Sequence, residues 1–400
     1  MPYGLLLLAL LAQAAPSPTD STADGPTDVS PQISAPVSPS SETPREGIDG
    51  LAVPLVSFNS DVGFGFGAAG GVFFYGGKKP YAHALSAQVF FTTRGVQSHF
   101  LNYDAPGLIG PLRFEAHLEY ARDLYAPYFG PGNLSAPEAP PDQTKRYSYI
   151  LTQPMVWARL RLKLPSLPIE PYLEYRYRYV SVELYPGSVL EERPPVGLEG
   201  GSFGIFTLGM LYDTRDSEAD TTRGELIEVA LRAADGLTGS DYTFGGLTVS
   251  GRKYISLFTP KVVLAGRVML DGTVGHTPFF VWPFFGGISN AEGLGGQSSV
   301  RGVPRDRYQG DLKVFANLEL RINPIHFEAF GGEMKLGVVG FVDSGRAWHA
   351  GTTDGGLDQW HSGAGGGLRL TRSEAVVRVD YGVDLATSRK ALYLAFGQLF

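Results

Sequence analysis

From Leu51 to the last residue, apolar and polar side chains separate by parity over stretches long enough to cross a bilayer as tilted strands, about 9 to 11 residues. Successive side chains of a strand point to opposite faces, so such parity defines one apolar and one polar face. Val156, Ala158, Leu160, Leu162 and Leu164 alternate with Arg159, Arg161 and Lys163. Leu173, Tyr175, Tyr177 and Tyr179 alternate with Glu174, Arg176 and Arg178. Leu312, Val314, Ala316, Leu318, Leu320 and Ile322 oppose Asp311, Lys313, Asn317, Glu319 and Arg321. Shorter versions set Phe114, Ala116, Leu118 and Tyr120 against Arg113, Glu115, His117 and Glu119, and Val377, Val379, Tyr381 and Val383 against Arg378, Asp380 and Asp384.

A soluble sandwich would also alternate, but its strands usually run about 5 or 6 residues. The tyrosine-rich apolar face also favours a membrane barrel, where aromatic residues collect at the headgroup layers. The expectation is an all-β transmembrane antiparallel barrel of sixteen strands, an even number as bacterial single-chain barrels require. A barrel has no edge only if its first and last strands pair, so both ends of 48–400 must be strands. The last ten residues, ALYLAFGQLF, place Leu392, Leu394, Phe396 and Phe400 outward by parity, with Gln398 as the exception. Phe396 and Phe400 are either plain terminal hydrophobes or the signal read by the cell's barrel-assembly machinery.

Composition excludes several classes. A mean hydropathy of -0.03 decides nothing, because a barrel's two faces cancel. The 52 glycines, 20 tyrosines and 24 phenylalanines suit many strands joined by turns. A formal net charge of -7 argues against a nucleic-acid partner. With no cysteine, disulfide frameworks, thiol nucleophiles and thiolate metal sites are all absent.

No stretch reaches 18 consecutive apolar residues, so no helical span is expected. Leu5 to Leu11 is a short apolar run followed by Ala12-Gln13-Ala14, a small-x-small pattern cut before Ala15. Met1 to Gly4 lacks the basic residue usual there. The expected division is a signal peptide at 1–14, a disordered Pro/Ser/Thr-rich tether at 15–47 and a barrel at 48–400. The tether has too few large apolar residues to offset its ordering entropy.

Between the strands at 261–271 and 311–322 lies a long connection carrying GGISNAEGLGGQSSVRGVPRDRYQGD, and a connection of that length without alternation is usually functional or disordered. Asp343 shares parity with Lys335, opposite Leu336, Val338 and Val342, and so points into the lumen; Glu319 does the same by its own strand pattern. The glycines at 293, 295 and 296 lack the following helix of a phosphate cradle. The seven histidines have no metal-binding spacing, and no Ser/His/Asp constellation can be assembled. No cofactor, metal site or enzymatic activity is therefore expected. Arg159, Arg161, Lys163, Arg176 and Arg178 either pair with Glu170 and Glu174 across strands or form a basic wall selecting anionic solutes.

Val300-Arg301-Gly302-Val303, Tyr308-Gln309-Gly310-Asp311, Asn317-Leu318-Glu319-Leu320-Arg321 and Phe341-Val342-Asp343-Ser344-Gly345 resemble the outer-membrane assembly and translocation barrels typified by BamA and TamA, also called bacterial surface antigen barrels. Tyr212-Asp213-Thr214-Arg215-Asp216 with Arg223-Gly224 looks like that family's mid-barrel turn and the strand after it. The resemblance covers about 48–400. It implies that the long extracellular loop, following strand eleven, folds into the lumen and that Arg301 meets Glu319 and Asp343, the latter on strand thirteen. Gly302 and Gly345 belong to the same motifs. Val303 stands where the family usually has an aromatic, and the tether stands where the family carries periplasmic repeat domains. The implied function is to assist insertion or translocation of proteins or other macromolecules at the outer membrane of a Gram-negative bacterium; the alternative is a passive channel or structural barrel. Implied partners are outer-membrane lipids, the barrel-assembly machinery and a separate periplasmic protein.

Overall fold

In a computed structural model of the protein, the described residues are 46–400 except 79, 134–140, 165, 218–219, 289–290, 292, 330–331, 353–355 and 373–374. The signal peptide expected at 1–14 lies outside them, as does the tether at 15–47 apart from its last two residues.

The first eight strands are β1 Ile48–Asn59, β2 Gly63–Phe74, β3 His83–Thr92, β4 Val96–Ile109, β5 Leu112–Pro127, β6 Ser148–Leu162, β7 Ile169–Leu184 and β8 Gly201–Asp213. The second eight are β9 Gly224–Ala234, β10 Phe244–Ser256, β11 Val262–Gly275, β12 Leu312–Ala329, β13 Gly332–Trp348, β14 His361–Arg372, β15 Ala375–Asp384 and β16 Lys390–Phe396. Each pairs with its sequence neighbour and β16 returns to β1, so the sheet is a closed barrel of sixteen strands.

The parity of the sequence decides what faces where, and the result inverts a soluble protein. Leu208, Leu231, Val268 and Leu368 are more than half exposed, whereas Arg159, Glu319 and Asp343 are fully buried. Closure thus turns the apolar set outward and the charged set inward. The alternation over 312–322 continues into a longer strand than its pattern suggests. Asn323-Pro324 falls in a register shift between Ile322 and Ile325; proline cannot donate to the ladder, and a bulge there ends the simple alternation.

The ring is unevenly closed. All twelve residues of β1 pair with β2, but only Phe58 and Asn59 pair with β16, opposite Leu394 and Tyr393. The expected outward placement of Phe400 is corrected here. After Phe396 the chain leaves the sheet at Gly397, whose φ of +80° suits glycine. Phe400 turns inside, 7% exposed, beside Tyr254, and Arg321 Nη2 donates to its main-chain oxygen at 3.0 Å. Gln398 supplies the reason. On the sheet its amide would face the apolar exterior; turned in, its Oε1 accepts from Arg369 Nε at 3.1 Å. Phe396 stays on the sheet, half-buried against Met334 and Val377.

Candidate functional site

The 276–311 connection leaves β11 and re-enters at β12, and its middle is buried. Phe279, Phe280 and Val281 pack with Tyr128, Tyr149 and Phe203, while Leu294, Val300 and Val303 pack with Met269, Phe315 and Phe285. Val303 thus fills with an aliphatic side chain the place where an aromatic was expected. Polar anchors fix the backbone. Gly286 N donates to Asp271 at 3.0 Å and Ile288 N to Glu228 at 2.6 Å. Arg305 is paired with Asp123 of β5.

Arg301 is the centre of the arrangement, and its side chain is fully buried. Nε and Nη2 donate to Asp343 at 2.8 and 2.9 Å, a bidentate fork that a guanidinium makes and an ammonium cannot. Its own backbone N–H donates to Asp343 Oδ2 at 3.1 Å. Nη1 reaches Glu319 at 2.7 Å and Asp380 of β15 at 3.1 Å. The guanidinium carbon lies 3.4 Å from the Phe341 ring centroid, adding a cation–π contact in a desolvated place. The carboxylates have further donors: Asn317 Nδ2 to Asp343 at 2.7 Å, Arg321 Nε to Glu319 at 2.8 Å and Arg369 Nη1 to Asp380 at 2.5 Å.

The structure therefore brings Arg301, Glu319 and Asp343 together. Gly302 and Gly345 serve the same seat sterically. Gly302 has φ +101°, and a Cβ there would sit 2.5 Å from Asp384 N and from Val383 C. A Cβ on Gly345 would sit 2.6 Å from Leu294 of the connection. Gly302 N donates to Tyr393 OH at 3.2 Å, and Arg389 Nη1 donates to Gly302 O at 2.8 Å.

Sequence reasoning missed Asp380, Tyr393 and Arg389. Asp380 carried a signal, since it lies on the polar parity of its strand beside Arg378. Its approach to Arg301 crosses the barrel interior and leaves no local trace.

The second group resolves between its two readings. Arg159 pairs with Glu174 at 2.6 Å, Arg176 with Glu174 at 2.6 Å and Arg161 with Glu170 at 2.6 Å. Arg178 donates to Gln153 at 3.0 Å. Arg159, Arg161 and Arg176 are thus paired with neighbouring carboxylates rather than arrayed as a basic wall, while Arg178 meets a neutral amide. Lys163 departs from the group: it lies past the end of β6, its side chain 59% exposed and 3.8 Å from Glu170. The motif at 212–216 caps β8, where Arg215 and Asp213 pair at 2.7 Å and Asp216 accepts from Thr222 N at 2.9 Å, leading to Arg223-Gly224 and β9. Among the described residues no group of three His, Cys, Asp or Glu is placed to hold a metal ion.

The Omp85 superfamily domain matches residues 169–398, more than half of the chain. Among solved structures, the chain is similar to BamA from Haemophilus ducreyi lacking POTRA domains 1-3, at 16% identity over 88% of this chain and 70% of that one, with a TM-score of 0.60. It is similar to CdiB from Escherichia coli, at 14% identity over 88% of this chain and 63% of that one, TM-score 0.58. For CdiB from Acinetobacter baumannii the figures are 16%, 88%, 59% and 0.52. The chain thus spans less than two thirds of either CdiB. At these identities the likenesses establish the shared fold. No protein with a curated description matches the chain.

Proposed function

The chain belongs to the Omp85 superfamily and is an outer-membrane protein of a Gram-negative bacterium, and on that premise we propose that it assists insertion or translocation of proteins or other macromolecules there through the seam between β1 and β16. The observation that carries the reading is the seam itself: β1 has twelve residues and shares two register pairs with β16. Opening it breaks few ladder bonds, and the unpaired length of β1 then offers a strand edge to a client. The outward apolar set supports transmembrane placement of the strands. Burial of Arg301, Val300 and Leu294 supports an extracellular loop folded into the lumen as a lock, with Arg301, Gly302, Glu319, Asp343 and Gly345 as its seat. That occupancy disfavours the passive-channel alternative.

The proposed division keeps a signal peptide at 1–14, a tether at 15–47 and the barrel at 48–400. The role is non-enzymatic. Phe396 and Phe400 act during biogenesis as the signal for the barrel-assembly machinery, before Phe400 turns inside. Lipids of the outer membrane surround the barrel, and a separate periplasmic protein delivers clients.

The test uses the natural absence of cysteine. Phe58→Cys with Leu394→Cys, placed on a register pair, lets oxidation close the seam. In proteoliposomes given an unfolded outer-membrane barrel, insertion should stop on oxidation and return on reduction. Equal insertion in both states rejects the seam; no stimulation by the unlocked protein rejects the function.

A further inference from the structure

The outer face of the barrel is not evenly covered. Across β9 to β13 runs a groove of about 620 Å³, open to the outside. Register sets its outward lining in two adjacent rows. Ile227, Gly251, Val268, Ala316 and Ser344 lie side by side in one, and Glu225, Lys253, Gly266, Leu318 and Val342 in the other. Ile227, Val268, Leu318 and Val342 stand exposed as walls. Gly251, Gly266, Ala316 and Ser344, one on each of four consecutive strands, leave the floor low. The Ser344 hydroxyl is bonded to that of Ser362 at 2.8 Å, so the floor offers an occupant little polarity.

The backbone does not demand the two glycines. Neither has a positive φ. A Cβ on Gly251 would meet no other heavy atom within 4 Å among the described residues, and one on Gly266 would make only ordinary contacts at 3.9 Å. Gly302 is the opposite case, with no room for a Cβ at all. Glycine inside a strand weakens it and often marks a place that a ligand approaches closely. The groove also has a definite length and a polar end. Its five strands are four inter-strand steps of about 4.8 Å, roughly 19 Å in all, close to half the depth of a hydrocarbon core about 30 Å thick. It starts at Glu225, the second residue of β9, at the end of the barrel where β1 begins, and rises to Ser344, four residues before the far end of β13. At the start Lys253 Nζ donates to Glu225 Oε2 at 2.6 Å, with side chains 57% and 31% exposed. That bond uses one of three ammonium donors and one of several carboxylate lone pairs, so both groups can take a further partner.

We propose that this groove binds one phospholipid, with an acyl chain along Gly251, Gly266, Ala316 and Ser344 and a zwitterionic headgroup on Lys253 and Glu225. The phosphodiester takes Lys253 and a headgroup ammonium takes Glu225, whereas an anionic headgroup would leave the carboxylate facing a like charge. Charges on a lipid-facing strand position cost little near the interface and several kcal/mol at the midplane, which places the pair at headgroup depth. The proposal rests on the transmembrane placement of the strands and is independent of the seam, since β9 to β13 include neither β1 nor β16.

The test titrates the full-length mature chain, delipidated in a nonionic detergent, with dipalmitoyl phosphatidylethanolamine or dipalmitoyl phosphatidylglycerol and counts bound lipid by native mass spectrometry. One equivalent of phosphatidylethanolamine should bind saturably, roughly fivefold tighter than phosphatidylglycerol. Gly251→Leu with Gly266→Leu fills the floor and should weaken that binding by about tenfold, with unheated gel mobility reporting that the barrel is folded. Lys253→Gln with Glu225→Gln alters exposed side chains only and should bring the two lipids within about twofold of each other; this variant carries the comparison if the filled one does not fold. Undiminished binding by a folded filled variant, no saturable binding, or equal affinity of the unsubstituted chain for both lipids overturns the proposal. A mature chain that stays soluble without detergent would reject the transmembrane placement, and the groove with it; a chain that needs detergent yet binds neither lipid rejects the groove alone.

Discussion

Replacing Arg301 by alanine removes the connection's central tie and leaves three buried carboxylates to find other partners. They are not equally exposed to the loss. Glu319 keeps Arg321 at 2.8 Å and Asp380 keeps Arg369 at 2.5 Å, whereas Asp343 keeps only neutral donors, the Asn317 amide at 2.7 Å and the backbone N–H of residue 301 at 3.1 Å. The penalty therefore concentrates on Asp343. Breaking a buried pair from one side typically costs about 3 to 5 kcal/mol, falling toward roughly 1 kcal/mol if water reaches the orphaned group. At about 1.4 kcal/mol per tenfold, a loss near 3 kcal/mol raises the population with the connection unseated by roughly a hundredfold. Limited proteolysis of 276–311 reads that population when reseating outpaces cleavage. Arg301→Ala should speed cleavage by about a hundredfold, while the barrel still migrates as folded before heating. Arg301→Lys should also be much faster than wild type, because an ammonium cannot reproduce the fork on Asp343. Asp343→Asn added to Arg301→Ala should recover part of the loss, since the orphaned charge is gone. Cleavage within threefold of wild type in both Arg301 variants would refute the reasoning.

Gly302→Ala should unseat the connection with Arg301 intact, because its Cβ would meet the Val383–Asp384 backbone at 2.5 Å and its φ of +101° is strained for alanine; the same proteolysis checks it. Burial raises the Asp306 carboxyl to about 6, against the opposing effects of Arg305 and the Gly293 N–H. A folded-state value above the unfolded one gives stability that is full below about pH 4 and lost as pH rises through about 6. Cleavage of the connection should thus be faster at pH 7 than at pH 5, and Asp306→Asn should flatten the difference; an identical pH profile in the variant would contradict this. Proteolysis of the intact chain should remove 15–47 before any site in the barrel is cut, since that stretch has little to pack; survival of Thr22 to Pro44 under those conditions would oppose the division.

Strand existence was legible because parity is a local property that closure merely orients. The inward turn of Arg159 and Asp343 follows from their neighbours two positions away. Pairing extent is not local: β1 alternates as a strand should, yet nothing in Ile48–Asn59 announces that β16 meets it at only two residues. The tail shows both sides. Gln398, on the outward parity, was the sign that the ladder stops, while the destination of Phe400 beside Tyr254 depends on strands far earlier in the chain. At the Arg301 seat, Glu319 and Asp343 were reached through parity and family likeness. Asp380 required the barrel's curvature, which brings β15 to the same guanidinium as β12 and β13.

Site-specific photo-crosslinking during insertion tests the central claim most directly. A crosslinker at Ala52, exposed on β1 away from its two pairs with β16, is compared with one at Leu231, exposed on β9 and far from the seam. If clients enter at the seam, adducts with an inserting barrel should form at Ala52 and be scarce at Leu231. Equal yields at both positions, or none at Ala52 while insertion proceeds, would contradict it.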